Sequence, residues 1–187
     1  MVNLTRIYTR TGDDGSTSLG DFSRTTKTDL RLQAYADVDE ANCAIGVVLA
    51  LGEPPEPIGA VLSRIQNELF DLGADLSTPV GGEGPALRVT QDYIDRLEAE
   101  CDEFNADLEN LRSFILPGGT KASALLNVAR TVTRRAERAA WAAWGEHGDT
   151  MNPLTTHYLN RLSDLLFILS RVANPGGDVL WVPGGQR

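Results

Sequence analysis

A chain of 187 residues, 42% hydrophobic and 23% charged, has the size and balance of one globular unit with a sizeable core. A formal net charge of −9 and an isoelectric point near 4.7 exclude general nucleic-acid binding, which needs a broad basic surface. Met1–Asp14 is polar and has no apolar leader core, and the longest nearly apolar run, Cys43–Gly52, is far short of a membrane span, so a cytoplasmic protein without a membrane partner is expected.

Residues 1–27 are rich in Thr, Ser, Gly and Asp, carry Arg6 and Arg10, and lack helical periodicity, which predicts an extended arm. From Thr28 the pattern turns helical. Thr28 or Asp29 caps, and Leu32, Tyr35, Ala36, Val38, Ala41, Ile45, Val48 and Leu49 recur at helical intervals as far as Gly52. Three prolines in Glu53–Pro57 break the chain, and a second helix runs from about Pro57 to Leu76. Ser77–Leu87 reads as a Gly/Pro loop. Thr90 is expected to cap a third helix reaching about Leu108, with Tyr93, Ile94, Leu97, Cys101, Phe104 and Leu108 inside and an acidic outer face.

After the interruption at Leu111–Gly119, Thr120 caps a fourth helix that ends near Gly148, about 42 Å in length. Asn152 caps and Pro153 opens a fifth, closed by Asn174-Pro175-Gly176-Gly177. The organisation expected is a single domain over 1–187: an arm (1–27), an all-α five-helix antiparallel bundle (28–175) without a β-sheet, and a tail (176–187). Cys43 and Cys101 fall on different helices without CxxC or CxxH neighbours, so free thiols are expected rather than a disulfide framework or zinc site.

The fourth helix is unusual for an acidic chain. Thr120–His147 holds Lys121, Arg130, Arg134, Arg135 and Arg138 against Glu137 and Glu146, a net +3. Arg130, Arg134 and Arg138 stand four residues apart and share one stripe, where like charges repel by a few tenths of a kcal/mol per pair. An anion opposite them would relieve this, and phosphate suits the guanidinium fork; a solvated face with carboxylate partners is the plainer alternative.

Other segments could carry chemistry. Thr9-Arg10-Thr11-Gly12-Asp13-Asp14-Gly15-Ser16-Thr17-Ser18 sets glycines, hydroxyls and a cation together, a composition that suits an anion or a magnesium ligand and also suits a surface turn. It lacks the Gly-Lys-[Ser/Thr] ending of a Walker A loop. Lys27 could point at the same anion. Asp39-Glu40 reads as a solvated face or as a holder of a fourth-helix arginine. The Phe114–Gly119 loop reads as a ligand contact or a core plug. Asn160 and Asp164 share a helix face beside an apolar stripe, where a buried amide needs partners. Glu68, Asp71 and Asp75 resemble a carboxylate cluster, but His147 and His157 are not spaced for a di-iron bundle, and no metal ligands are assigned.

Four blocks, Tyr8–Thr17, Phe114–Gly119, Val128–Arg138 and Asn160–Asp164, with Ala34–Asn42 between, together resemble the PduO-type ATP:cob(I)alamin adenosyltransferases over nearly the whole chain. The resemblance implies a homotrimer with active sites between subunits, whose substrates are ATP, with Mg²⁺, and cob(I)alamin. It implies that Thr9, Arg10, Thr11, Gly12, Thr17, Ser18 and Lys27 wrap the triphosphate, and that Arg134, Arg135, Glu137, Arg138 and Asn160 hold the nucleotide. Arg130 and Asp39 match an ion pair across the subunit boundary, and Phe114 matches the aromatic below the corrin. In the tail, Val182 stands where a basic residue is expected. The implied reaction transfers the 5′-deoxyadenosyl group to cobalt and releases triphosphate, with a reductase upstream and a client adenosylcobalamin-dependent mutase downstream. A carrier that only stores and delivers the corrinoid, or a helical bundle whose arginines merely pair with carboxylates, are the competing readings.

Overall fold

A computed structural model describes residues 7–82 and 85–187; Arg6, the start of the arm and the middle of the 77–87 loop lie outside these. Five helices form: α1 (Leu30–Leu51), α2 (Glu56–Ser77), α3 (Gln91–Asn105), α4 (Lys121–His147) and α5 (Leu154–Val172). The expected helices are therefore present, with α3 ending three residues early in a turn where Ala106 N–H bonds back to the Glu103 carbonyl.

The ends follow local chemistry. Asp29 caps α1 by accepting the Arg31 N–H at 2.8 Å, and Thr120 caps α4 by accepting the Ser123 N–H at 3.1 Å. Asn152 Oδ1 accepts the Leu154 N–H at 3.1 Å at the start of α5. Thr90 stands at the N-cap position of α3, yet its side chain makes no capping bond.

α1 packs against both α2 and α4, and α5 against α4 and α3. The core is a continuous cluster in which α4 contributes Ala129, Ala136, Ala140 and Ala143, all fully buried. Small residues on that face let α4 approach α1 closely and leave its opposite face for the arginines. The carboxylates that suggested a metal cluster are each satisfied by donors instead. Glu68 accepts from Arg64, Arg96 and the Tyr158 hydroxyl; Asp75 accepts from Arg88, the Val89 N–H and Asn152; Asp71 accepts from Tyr93. Cys43 and Cys101 are free thiols.

The sequence gives no alternating pattern in the arm, but the structure places a two-stranded antiparallel hairpin there, β1 (Ser16–Ser18) with β2 (Arg24–Thr26), in the register Ser16–Thr26, Thr17–Thr25, Ser18–Arg24. Both strands are made of Ser, Thr and Arg and bury little, so apolar periodicity could not reveal them. Among the described residues no helix is long and apolar enough to cross a membrane.

Candidate functional site

The arm folds onto one end of the bundle. Gly20 N–H donates to the Ser77 carbonyl at the end of α2 at 2.8 Å, and β2 leads through Lys27 into the α1 cap. Within the arm, Asp14 accepts both the N–H (2.9 Å) and the hydroxyl (2.7 Å) of Ser16, which hold its carboxyl below the ordinary carboxylate range. Gly15 N–H closes a turn on the Gly12 carbonyl at 3.2 Å, with Gly15 at φ 84°, a conformation that favours glycine.

Gly12 matters for a second reason. A Cβ there would come within 2.9 Å of the Ser16 carbonyl and 3.2 Å of the Lys27 ammonium, so glycine lets the lysine head lie against the turn. Lys27 has no carboxylate partner among the described residues. Arg10 sits at φ 62° with its guanidinium 5.8 Å from the Tyr8 ring centre, and the Thr9 and Thr11 hydroxyls are 2.9 Å apart.

Arg24 is a member of this group that sequence reading missed. It donates to Ser16 Oγ, to Ser18 Oγ at 3.3 Å and to the Thr11 carbonyl at 3.2 Å, so it ties both ends of the glycine-hydroxyl segment together. Its only sequence signal is a cation among hydroxyl residues, too common to single out.

On α4 the arginines divide. Arg135 turns toward α1, pairing with Glu40 and lying 4.0 Å from Asp37, so the α1 carboxylate that holds a fourth-helix arginine within the chain is Glu40 rather than Asp39. Arg138 folds back onto the Arg134 carbonyl at 2.9 Å. Arg130 lies over the Phe167 ring at 5.8 Å and donates to Asn127 at 3.2 Å, with no carboxylate in reach among the described residues. Burial, followed by the charge of Arg134, pulls its pKa down from the ordinary guanidinium value. Arg134 is exposed, and no hydrogen bond or ion pair of its side chain occurs among the described residues. Two neighbouring cations without an anion describe a place where an anion is strongly favoured.

Asn160 is exposed on α5, not buried, and reaches across to α4 by donating to Glu137 Oε1 at 3.0 Å. This fixes Glu137 and Asn160 as a polar pair one turn from Arg134. Asp164 instead pairs with Arg161 at 2.8 Å. Asp39 is exposed and unpaired among the described residues.

Phe114 is 80% exposed, so the loop presents its aromatic to solvent instead of plugging the core. The tail holds it: Trp181 N–H donates to the Phe114 carbonyl at 2.7 Å, Leu116 N–H to the Val179 carbonyl at 2.8 Å, and the Phe114 and Trp181 rings meet edge to face at 6.1 Å. Sequence reading passed over Trp181 because nothing local marks a tail residue as the neighbour of a loop 67 positions earlier.

Within one chain these groups do not form one site. The arm attaches where α4 ends at His147, 13 residues beyond Arg134, or about 20 Å along the helix. No bond joins arm and arginine stripe among the described residues.

The family model described as cobalamin adenosyltransferase matches residues 7–173. The chain is 66% identical to the corrinoid adenosyltransferase of Mycobacterium tuberculosis (strain ATCC 25618 / H37Rv), across 100% of this chain and 97% of the relative. It is 42% identical to that of Bacillus subtilis (strain 168), across 90% and 86%. A solved structure of a phenylalanine-to-alanine variant PduO-type ATP:corrinoid adenosyltransferase from Lactobacillus reuteri, complexed with cobalamin and ATP, matches with a TM-score of 0.89 at 35% identity, covering 95% of this chain and 100% of that one. An arginine-to-lysine variant from the same organism, complexed with ATP, matches at 0.85 with 35% identity, covering 94% and 100%.

Proposed function

We infer, for a chain that belongs to the cobalamin adenosyltransferase family, that its active site is completed between two copies of itself. The protein is a corrinoid adenosyltransferase: it binds ATP and cobalamin, transfers the 5′-deoxyadenosyl group of ATP to cob(I)alamin and releases triphosphate. The single observation that carries the shared site is the separation within one chain of two half-sites, each with cations lacking anions: Lys27 in the arm, Arg130 and Arg134 on α4.

In the homotrimer we propose, each arginine stripe faces a neighbour's arm, and a closed ring satisfies every copy alike. The arm of one subunit, through Thr9–Gly12, Thr17, Ser18 and Lys27, wraps the triphosphate, whose remaining charge is shared with the Mg²⁺ that accompanies ATP. Arg134 and Arg138 of the neighbour grip the phosphates, while the Glu137–Asn160 pair orients the nucleoside. Arg135, held by Glu40, fixes the stripe against α1. Unpaired Asp39 and carboxylate-free Arg130 make the ion pair across the boundary. Arm, bundle and tail act as one cytoplasmic unit.

The chemistry asks little else of the protein. The cobalt electron pair forms the bond to C5′, the C5′–O bond breaks, and its electrons leave on triphosphate. No proton moves, so no base is needed, in keeping with a site of cations, hydroxyls and an amide. The residues hold C5′ in line with the leaving oxygen and stabilise the charge that gathers on it. Phe114, presented by its loop beneath the corrin, keeps a lower ligand off the cobalt and so eases reduction to Co(I).

Subunit mixing tests the shared site. Arg134→Ala and Lys27→Ala oligomers, each inactive alone, regain triphosphate release when dissociated and reassembled together, because hybrids contain interfaces with both native halves. Hybrids confirmed by native mass spectrometry that stay inactive overturn the intersubunit site.

A further inference from the structure

The arm carries the triphosphate in the reading above, and this inference rests on that reading. What sets the arm's position is a polar junction that the sequence analysis did not single out. Asp29 lies at its centre. Its Oδ1 accepts the Arg31 N–H (2.8 Å) and His147 Nε2 (2.9 Å), and its Oδ2 accepts the Thr25 hydroxyl (2.6 Å). An ionised carboxylate only accepts, so His147 Nε2 carries the proton in this contact.

The three donors come from three elements: β2, the first turn of α1, and the last residue of α4. Arg31, only 2% exposed, locks the same corner. Its guanidinium donates to the Leu76 carbonyl at 2.9 Å and to the Thr150 hydroxyl at 2.7 Å, joining the end of α2 to the turn that follows α4. Main-chain bonds also join the hairpin to the bundle, from the Gly20 N–H to the Ser77 carbonyl at 2.8 Å and from the Asp29 N–H to the Thr26 carbonyl at 3.2 Å. Thr25 is the β2 side chain that reaches the capping carboxylate of α1, two residues before Lys27.

We propose that Thr25, Asp29 and His147 are positioning residues for ATP: the carboxylate gathers β2 and the end of α4 so that Lys27 and the glycine-hydroxyl turn stand ready for the triphosphate. They touch no substrate themselves. Their removal loosens the arm, so ATP binding weakens while the corrin side of the reaction is untouched.

Thr25→Val, His147→Ala and His147→Gln are compared with Lys27→Ala, measuring the dissociation constant for MgATP and, separately, KM for cob(I)alamin. Thr25→Val keeps the shape and removes only the donor, and it serves if the histidine variants fold poorly. Thr25→Val and His147→Ala are each expected to weaken MgATP binding about tenfold, the scale of one hydrogen bond to a charged group. KM for cob(I)alamin stays at its parent value, and His147→Gln, whose amide can donate to the same carboxylate, recovers most of the loss. Normal MgATP binding in Thr25→Val and His147→Ala beside weakened binding in Lys27→Ala overturns the junction's role but keeps the arm as the ATP site. Normal binding in all of them removes the arm from the site, and this inference with it.

Discussion

Arg134 projects from α4 with Arg130 one turn before it, and no acidic group among the described residues answers either. In the proposed site its charge is free for a leaving triphosphate. Arg134→Ala should lower adenosylation roughly 10²–10³-fold, the loss typical for one charge-stabilising donor, while the helical circular dichroism survives. Full turnover in that variant would take Arg134 out of the reaction. Asp29 offers a second residue-scale prediction. Burial pushes its carboxyl up, but the bonds from Thr25, the Arg31 N–H and His147 outweigh this and hold it below the ordinary carboxylate range. A group with a depressed folded pKa stabilises fully above its unfolded value and loses that contribution as pH falls through the folded one. The melting-temperature gap between the parent and Asp29→Asn should therefore narrow as pH drops beneath the ordinary carboxylate range; a gap that stays constant in acid assigns no stability to the charge. The stripe shared by Arg130 and Arg134 was legible from sequence because helical spacing carried it. Partners were not: Glu40 instead of Asp39 holds Arg135, and Arg24 and Trp181 act through contacts distant in sequence.

Helices were legible because their apolar residues recur at helical intervals, and the caps Asp29 and Thr120 mark true starts. The hairpin was hidden because Ser, Thr and Arg on both strands bury almost nothing. At the level of elements the bundle depends on a buried charge network joining α2, α3 and α5. Glu68, 4% exposed, accepts from Arg64, from Arg96 at 2.8 Å and from the Tyr158 hydroxyl at 2.7 Å. Burial, with Glu68 beside it, pushes the Tyr158 hydroxyl far above its ordinary pKa, so it remains a donor. Glu68→Ala leaves the buried Tyr158 hydroxyl without its acceptor, while Arg64 keeps Glu100 and Arg96 reaches water, and should cost about 2 kcal/mol in urea unfolding; a loss below about 0.5 kcal/mol means water replaces the carboxylate freely. Phe114 belongs to the loop element. Phe114→Ala should spare MgATP binding but deplete the four-coordinate cob(II)alamin signal in EPR, and an unchanged spectrum counts against the wedge.

As a whole molecule, the chain keeps the arm's attachment at His147 and the proposed phosphate grip at Arg134 about 20 Å apart along α4, a spacing that a second copy would bridge. Light scattering should give a mass of three times the 20.2 kDa chain. Asp39→Ala should shift that mass toward smaller species or weaken activity without altering the helical signal. A fully active trimer in that variant would show the Asp39–Arg130 contact to be incidental. The sequence carried the family, through the resemblance of its four blocks, and with it the parts of the proposed site. It could not carry the distance between arm and stripe, which depends on where α2 and α4 end.

The tail clasps the Phe114 loop with main-chain bonds, from Trp181 to Phe114 and from Leu116 to Val179. Backbone ladders are indifferent to most side-chain changes but vanish when the peptide itself is missing. In genetic terms, missense codons at Val179 or Leu180 should pass almost silently, whereas a stop codon at Asp178 should behave like a lesion in the aromatic loop more than sixty codons upstream.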